Sequence, residues 1–294
     1  MRFDWKTCDG EDREALAWPR EESRGVLACV HGLSGCAEQF APVAEALPHL
    51  SVYALELRGQ GLDPVVERRA MVLDVAAQHR DIADFLRAVH SRHPGEPVVL
   101  MGESMGSLLS ASFAAGRCGR ELAGLILSVP VVELIQPVPG WLRAVVRLIG
   151  RIFPRFKFYP SWFVSGETVT PPLTRDREYQ DGMRGKPNHI RVFTLKFLSE
   201  LGDLISESAA IAPGVRQPVL VLAAGHDCFV KVSQIQRWFE KIGSGDKTLN
   251  VYPDAYHLLW HDFDRDRVLA DVSAWLQSRV TSLFPASFAK RGFD

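Results

Sequence analysis

The chain has 294 residues, of which 47% are hydrophobic and 23% charged, a balance typical of globular proteins. Its formal net charge of −1 excludes the strongly basic surface that recruits nucleic acid, so no nucleic-acid partner is expected. Five cysteines without a CxxC pair predict reduced thiols rather than a disulfide framework or a zinc site. The N-terminus lacks the apolar run of a signal peptide and no stretch is long enough to span a membrane, so we expect a cytoplasmic protein.

Short apolar runs alternate with helical patterns along most of the chain. Six runs rich in Val and Leu predict buried strands: Gly25–Val30, Ser51–Leu55, Pro97–Met101, Gly124–Val129, Pro218–Ala223 and Thr248–Tyr252. A possible edge hairpin, Arg2–Lys6 with Glu14–Trp18, precedes them. Segments with apolar residues at helical spacing predict four helices: Met71–His90, Met105–Ala115, Val232–Ile242 and Arg265–Val280. This alternation predicts an α/β fold, with a mostly parallel central sheet and helices on both faces.

The segment from Val131 to Ser199 interrupts this alternation. It has many prolines and no convincing strand pattern, and it carries 11 Lys and Arg against 5 Asp and Glu. The rest of the chain is net negative. We therefore predict a cap or lid at residues 131–199, inserted into an α/β core formed by residues 1–130 and 200–294.

A nucleophile motif follows the third predicted strand. The strand leads into Gly102-Glu103-Ser104-Met105-Gly106, and a helical pattern begins immediately afterwards. A serine at such a strand-to-helix turn has an exposed hydroxyl, and glycines at both ends keep side chains out of the crowded turn. The helix also directs backbone N–H groups at the site. We predict that Ser104 is a nucleophile; the alternative is an ordinary glycine-rich turn.

An acid and a base follow Ser104 in the order that is typical after a GxSxG motif. Asp227 follows the fifth predicted strand and His257 follows the sixth, so both lie where open α/β sheets place their chemistry. We predict that His257 is the general base and that Asp227 orients it. Asp254 is the rival acid, and Asp227 has an alternative role as a helix N-cap.

Two other histidines are weaker candidates. His226 adjoins the acid, but a base must reach Ser104 while that acid orients it. His261 lies four residues after His257, as two zinc ligands on a helix do, but Leu258 stands where HExxH needs glutamate. We expect His261 to be a surface or supporting residue, and we predict neither a metal nor a cofactor.

A tetrahedral intermediate also needs two preorganised donors for its oxyanion. The residue after the nucleophile, Met105, supplies one backbone N–H. Leu33, after His31 and Gly32 at the end of the first central strand, is the candidate for the second. We expect His31 to brace this loop.

Together these motifs resemble the α/β-hydrolase superfamily, and more closely its monoacylglycerol lipase and lysophospholipase-like branch, the serine aminopeptidase S33 or Hydrolase_4 type. The matching pieces are His31-Gly32-Leu33, Leu57-Arg58-Gly59-Gln60-Gly61, Gly102-Glu103-Ser104-Met105-Gly106, Gly225-His226-Asp227, and His257 followed by a helix with Trp275-Leu276. The resemblance implies a Ser104–Asp227–His257 triad, with Leu33 and Met105 as oxyanion donors. Glu56 and Asp63 depart from it, since such enzymes often carry Asp and Ser there.

The predicted cap contains an apolar segment with regularly spaced arginines. Trp141, Leu142, Val145, Val146, Leu148, Ile149, Ile152 and Phe153 are apolar, and Arg143, Arg147, Arg151 and Arg155 recur every four residues. A helix of this kind suits transient contact with an anionic membrane surface. The alternative, which we prefer, is a cap helix packed on the core with solvated arginines. Either way, an apolar roof favours an acyl chain over a small polar substrate.

The leading hypothesis is a serine-dependent hydrolase of carboxylic esters with an apolar acyl chain, such as a monoacylglycerol or lysophospholipid, acting through an acyl-enzyme. Hydrolysis of amides or thioesters is the alternative within this fold. An aminopeptidase would need acidic residues for the substrate ammonium, whereas this cap is basic. Dehalogenase and epoxide-hydrolase chemistry need Asp in place of Ser104. A binder of hydrophobic ligands is the third hypothesis, although it has no use for a complete triad. The oligomeric state is left open.

Overall fold

The computed structural model describes residues 1–158, 172–183, 185–190 and 192–283. They form an eight-stranded sheet in the order β1-β2-β4-β3-β5-β6-β9-β10. The strands of this sheet are β1 (Arg2–Lys6), β2 (Asp12–Trp18), β3 (Val26–Val30), β4 (Ser51–Leu55), β5 (Val98–Glu103), β6 (Gly124–Ser128), β9 (Val219–Ala224) and β10 (Lys247–Tyr252). All neighbours from β4 to β10 pair in parallel, whereas β2 is antiparallel to both β1 and β4. The predicted α/β fold is therefore confirmed, and the expected hairpin forms one edge of the sheet.

The central strands are buried on both faces, as their continuous apolar sequences require. The helices are α1 (Ala41–Ala46), α2 (Val75–Arg92), α3 (Met105–Ala115), α4 (Gly140–Ile152), α5 (Arg177–Met183), α6 (Leu195–Ile211), α7 (Val232–Lys241) and α8 (Arg265–Leu283). The sheet separates the apolar interior into two clusters, one on each face. Phe85, Leu108 and Phe197 belong to one, and Phe40, Val272 and Trp275 belong to the other.

Several boundaries differ from the prediction for local reasons. The helix expected from Met71 begins at Val75, because the Asp74 side chain accepts a hydrogen bond from the Ala77 N–H and caps it. Helix α6 was not predicted; it begins inside the expected cap, where Thr194 accepts from Phe197 N–H, and continues beyond residue 199. Helix α1 was also missed, because its six residues are too few to show a helical period.

The expectation of a cap without strands was wrong in one detail. Strands β7 (Lys157–Phe158) and β8 (Phe193–Thr194) form a two-residue antiparallel pair, too short for any hydrophobic period to reveal. The part of the predicted cap at residues 159–171 lies outside the described residues. Within the described ranges, no helix combines the length and apolar character needed to cross a bilayer.

Candidate active site

Ser104 occupies a sharp turn between β5 and α3. Its backbone has φ 54° and ψ −117°, a conformation that a residue with a side chain rarely adopts. The Ser104 N–H donates to the carbonyl of Ser128 at the end of β6, at 2.9 Å. The side chain is partly exposed, whereas the neighbouring Glu103 is buried. This is the geometry expected of a nucleophile elbow.

The two motif glycines lie where backbone segments meet. A Cβ on Gly106 would overlap the carbonyl oxygens of Val30 and His31, and a Cβ on Gly102 would overlap Gly106 itself. Strand β3 pairs with β5 so that Val30 lies opposite Gly102. These contacts bring the loop that follows β3 against the turn that carries Ser104. A side chain at Gly106 would separate the loop from the turn, whereas a side chain at Gly102 would force apart the two ends of the turn itself.

Asp227 and His257 form a buried hydrogen bond. The Asp227 Oδ2 lies 2.6 Å from Nδ1 of His257, so this ring nitrogen donates and Nε2 is the free ring nitrogen. The other oxygen, Oδ1, accepts from the N–H groups of Phe229, at 2.7 Å, and Val230, at 3.2 Å. The Phe229 ring packs edge-on against the imidazole at 4.8 Å. The predicted acid and base are thus brought together, and both lie at the carboxyl ends of strands in the sheet that carries Ser104.

Charged neighbours counter the effect of burial on His257. Burial alone would lower the pKa of His257, but the Asp227 carboxylate and, to a smaller extent, Glu103 raise it above its ordinary value. Glu103 itself is only 1% exposed. Burial raises the pKa of Glu103 to about 7, although His257 and His31 both favour its ionised form. Two titrating groups therefore interact beside the nucleophile.

The rival candidates lie elsewhere. Asp254 is exposed at the surface, and the helix that follows Asp227 begins at Val232 with Lys231 as its N-cap. His226 is exposed and stacks on Tyr256. His261 is half-buried, and its Nε2 donates to the Gln39 carbonyl at 3.0 Å. Among the described residues, no cluster of three or more His, Cys, Asp or Glu has the arrangement of a metal site.

The candidate oxyanion loop is held by His31. Its Nδ1 donates to the Gly32 carbonyl at 2.9 Å, and its Nε2 accepts from the Leu57 N–H at 3.1 Å. Gly32 lies against the nucleophile, because a Cβ there would come within 3.0 Å of Ser104 Cβ. No described residue accepts a hydrogen bond from the N–H of Leu33 or Met105. Both N–H groups therefore stay candidates for the predicted oxyanion donors.

Glu56, a departure from the resemblance, supports the same loop. Its carboxylate accepts from the N–H groups of Ala37, at 2.8 Å, and Leu62, at 3.0 Å. Burial raises the pKa of Glu56, but His31 and these two N–H groups lower it below its ordinary value. The carboxylate therefore joins the loop after β3 to the loop after β4, and the longer glutamate side chain still reaches both.

Sequence reasoning missed Ser107, which stabilises the elbow. Its buried hydroxyl lies 2.8 Å from the carbonyl oxygens of both Gly102 and Ser128. The hydroxyl thus connects the end of β5, which leads into Ser104, with the end of the neighbouring strand β6. No sequence signal identifies this role, because a serine within the first turn of a helix is common.

Comparisons with known proteins give consistent matches. Monoacylglycerol lipase of Mycolicibacterium smegmatis is 26% identical over 268 residues, which cover 89% of this chain and 91% of that protein. Monoglyceride lipase of Homo sapiens is 24% identical over 288 residues, covering 95% of this chain and 91% of that protein. The crystal structure of a soluble variant of monoglyceride lipase from Saccharomyces cerevisiae shares the fold, with a TM-score of 0.79, 19% identity and 94% coverage of each chain.

The family match covers most of the chain. The family described as Hydrolase_4, serine aminopeptidase S33, matches residues 21–264, a range that includes Ser104, Asp227 and His257. The match agrees with the eight-stranded sheet and with the elbow after β5. The chain therefore belongs to the serine aminopeptidase S33 (Hydrolase_4) family of α/β-hydrolases.

Proposed function

We propose that this protein is a serine hydrolase that cleaves carboxylic esters with an apolar acyl chain, such as monoacylglycerols or lysophospholipids. The observation that carries the proposal is the 2.6 Å hydrogen bond between Asp227 and His257 at the sheet end that carries Ser104 in its strained turn. A serine hydroxyl, an acid and a histidine base, in this order along the chain, are the parts of a catalytic triad in an α/β-hydrolase.

In the proposed mechanism, the Ser104 hydroxyl attacks the ester carbonyl while His257 Nε2 takes its proton. Asp227 keeps the Nδ1–H tautomer and stabilises the imidazolium that forms. His257 then returns the proton to the departing alcohol, leaving an acyl group on Ser104. Water, activated by the same histidine, attacks the acyl-enzyme and releases the carboxylic acid.

The negative oxygen of each tetrahedral intermediate is stabilised by the N–H groups of Leu33 and Met105. Removing one such donor in other hydrolases costs about 100- to 1000-fold in rate. Both donors belong to the backbone, so their positions depend on the loop supports His31 and Glu56 and on Gly32, Gly102 and Gly106. This explains why the supporting residues lie both within the turn that carries Ser104 and in the loops packed against it.

An acyl substrate is supported by the relatives and by the predicted cap at residues 131–199. Two relatives are named monoacylglycerol or monoglyceride lipases, and the yeast enzyme was solved in complex with a substrate analogue. Helix α4 in the cap is rich in apolar side chains on both its packed and its exposed sides. A basic, apolar cap suits an acyl chain better than a substrate ammonium.

The test is a panel of p-nitrophenyl and glycerol esters of increasing chain length, with proline naphthylamide as the aminopeptidase substrate. We expect wild type to prefer medium or long acyl esters. Ser104→Ala should lose at least about 1000-fold in kcat, because the residual catalysis rests on the oxyanion donors alone. A fluorophosphonate probe should label wild type at Ser104. Faster cleavage of the naphthylamide than of the esters would overturn the substrate assignment, and absent labelling would overturn the mechanism.

We also propose transient contact between the cap and a membrane surface carrying anionic lipid. Four apolar residues of α4 point outward at helical spacing, and we call Trp141, Val145, Leu148 and Ile152 the outer face of α4. Trp141 is 70% exposed and Leu148 58% exposed. The opposite side, including the buried Gly150, packs on α6, and Arg147 pairs with Asp203 there. An exposed apolar face beside arginines supports an interfacial role over the fully packed alternative.

The five cysteines form no disulfide. Free thiols of this kind are usual where the surroundings are reducing. On that ground we propose a cytoplasmic location, where both the ester substrates and the inner membrane surface are accessible.

A further inference from the structure

We propose that Arg175 and Asp262 form a clamp that positions the general base, so that the placement of the cap controls the activity of His257. The inference rests on the proposed function, since it assigns His257 as the base. The clamp joins two segments of the chain. One is Leu173–Asp176, which lies just before α5, and the other is the loop between β10 and α8 that carries His257. Neither Arg175 nor Asp262 belongs to the triad.

The centre of the clamp is the buried carboxylate of Asp262, which is 2% exposed. One oxygen accepts from Arg175 Nε at 2.6 Å and from the Phe263 N–H at 2.7 Å. The other accepts from the Arg175 N–H at 3.0 Å and from the Tyr256 N–H at 3.3 Å. The guanidinium also pairs with Asp264, at 2.7 Å. A single carboxylate therefore binds the cap segment and the residue just before His257.

Backbone contacts complete the connection on the other side of the histidine. The Leu258 N–H donates to the Leu173 carbonyl at 2.8 Å, and the Thr174 hydroxyl donates to the His261 carbonyl at 2.5 Å. The ring of Tyr179 in α5 stacks on His261 with centroids 4.0 Å apart. The residues immediately before and after His257 are thus both tethered, one to Asp262 and the other directly to the cap segment.

These tethers matter because the Asp227 hydrogen bond and the Phe229 ring contact only the imidazole, and they leave the backbone that carries it free to shift. A base must be held to within about 0.5 Å, and a misplacement of about 1 Å costs about 100-fold in rate. Fixing the backbone on both sides of His257 removes that freedom. Burial raises the pKa of Asp262, but Arg175 and the N–H groups that donate to the carboxylate lower it below its ordinary value, so Asp262 stays charged to a lower pH than an ordinary aspartate.

The test uses Arg175→Gln, Arg175→Lys and Asp262→Asn in the full chain, with Arg147→Gln as the matched control. Arg147 also pairs a cap arginine with an aspartate, but at the surface and away from His257. With a short soluble ester we expect kcat to fall about 10- to 100-fold in Arg175→Gln, with KM within about twofold. Arg175→Lys keeps the positive charge but lacks the planar guanidinium that donates two parallel hydrogen bonds, so the kcat of this variant should be intermediate. Arg147→Gln should behave as wild type.

A purely structural role predicts a different pattern. If Arg175→Gln and Asp262→Asn lower the melting temperature or raise KM while kcat stays at the wild-type value, the clamp does not position the base and the inference is wrong. The downfield proton resonance of His257 Nδ1–H gives a readout that needs no turnover. We expect it to weaken or broaden in Arg175→Gln; an unchanged signal would also overturn the inference. A wild type that hydrolyses no ester would instead count against the proposed function.

Discussion

Glu103 shows how far a single residue beside the nucleophile shapes the proposed chemistry. Its Oε1 and the Nε1 of Trp260 are buried, and neither has a hydrogen bond of normal geometry among the described residues. The carboxyl shares its surroundings with His257, His31 and the Cys29 thiol. Because burial outweighs the opposing effects of His257, His31 and Trp260, the pKa of Glu103 is raised to about 7, and above that pH the carboxylate adds a negative charge near His257.

Replacing Glu103 with Gln removes this charge at every pH. Since Glu103 raises the pKa of His257, we expect the acidic limb of the kcat/KM profile to move to lower pH, with a plateau reduced by less than about tenfold. Glu200→Gln is the control: its carboxylate accepts from the Leu73 N–H in a different part of the fold, so the profile should stay as in wild type. A profile that does not move in Glu103→Gln would contradict the coupling.

The Glu103 carboxyl also makes the free energy of unfolding depend on pH. A carboxyl whose pKa is raised by folding binds its proton more tightly in the folded state than in the unfolded state. The protonated Glu103 therefore stabilises the folded protein fully below the pKa of the unfolded chain, and this stabilisation is lost as the pH rises to about 7. The unfolding free energy of Glu103→Gln, relative to wild type, should therefore increase across that window. Urea denaturation at several pH values measures it.

Helices α4 and α6 show that close packing depends on one small residue. Gly150 in α4 lies against the start of α6, and a Cβ there would come within 2.9 Å of Lys196 N and 3.0 Å of Lys196 Cα. Both are backbone atoms and cannot rotate aside. The glycine therefore lets the two helices approach with the outer face of α4 turned away.

We predict that Gly150→Ala destabilises the protein by about 1–3 kcal/mol, because α4 must move off α6. Gly140→Ala is the matched control at the other end of α4. Its Cβ would meet no atom within 4 Å, so the change should be neutral or stabilise by up to about 1 kcal/mol. Thermal and urea unfolding of the two variants compare them. Equal stability would show that α4 and α6 do not meet as closely as described.

The molecule as a whole is organised around the carboxyl ends of its parallel strands. Ser104, Asp227 and His257 follow β5, β9 and β10, and the segment predicted to be a cap lies between β6 and β9 in the chain. The Leu173 carbonyl accepts a hydrogen bond from the loop of His257, so this part of the predicted cap lies at the same end of the sheet as the candidate site. A membrane contacted through α4 would therefore hold that end of the molecule near the lipid.

If α4 contacts the membrane, the Leu148→Ser variant should bind lipid vesicles more weakly than wild type. Burial of a leucine is worth about 1.5–3 kcal/mol, so binding to vesicles of phosphatidylcholine and phosphatidylserine should fall by about tenfold or more. Binding should also be weaker without phosphatidylserine, because the exposed Arg151 near the end of α4 favours anionic lipid. Since Leu148 is 58% exposed, melting temperature and hydrolysis of a short soluble ester should not change. Co-sedimentation equal to that of wild type would contradict membrane contact through α4.

The local pattern alone predicted the eight strands of the main sheet, helices α2, α3, α7 and α8, the strand-to-helix turn around Ser104 and the placement of Asp227 and His257 at strand ends. Apolar periods, glycines and strand-end loops are local features, so they can be read along the chain. Boundaries were less accurate where a single side chain sets them, as Asp74 does at α2 and Thr194 at α6.

Only the tertiary structure decided which groups meet. It placed Asp227 rather than Asp254 on His257, joined Arg175 to Asp262 across 87 residues, and turned the outer face of α4 away from α6. The spacing of residues along the chain carries no record of such partners, because each depends on how distant segments pack. The candidate reacting groups could therefore be predicted from the sequence of this protein, whereas the contacts that hold them in place could not.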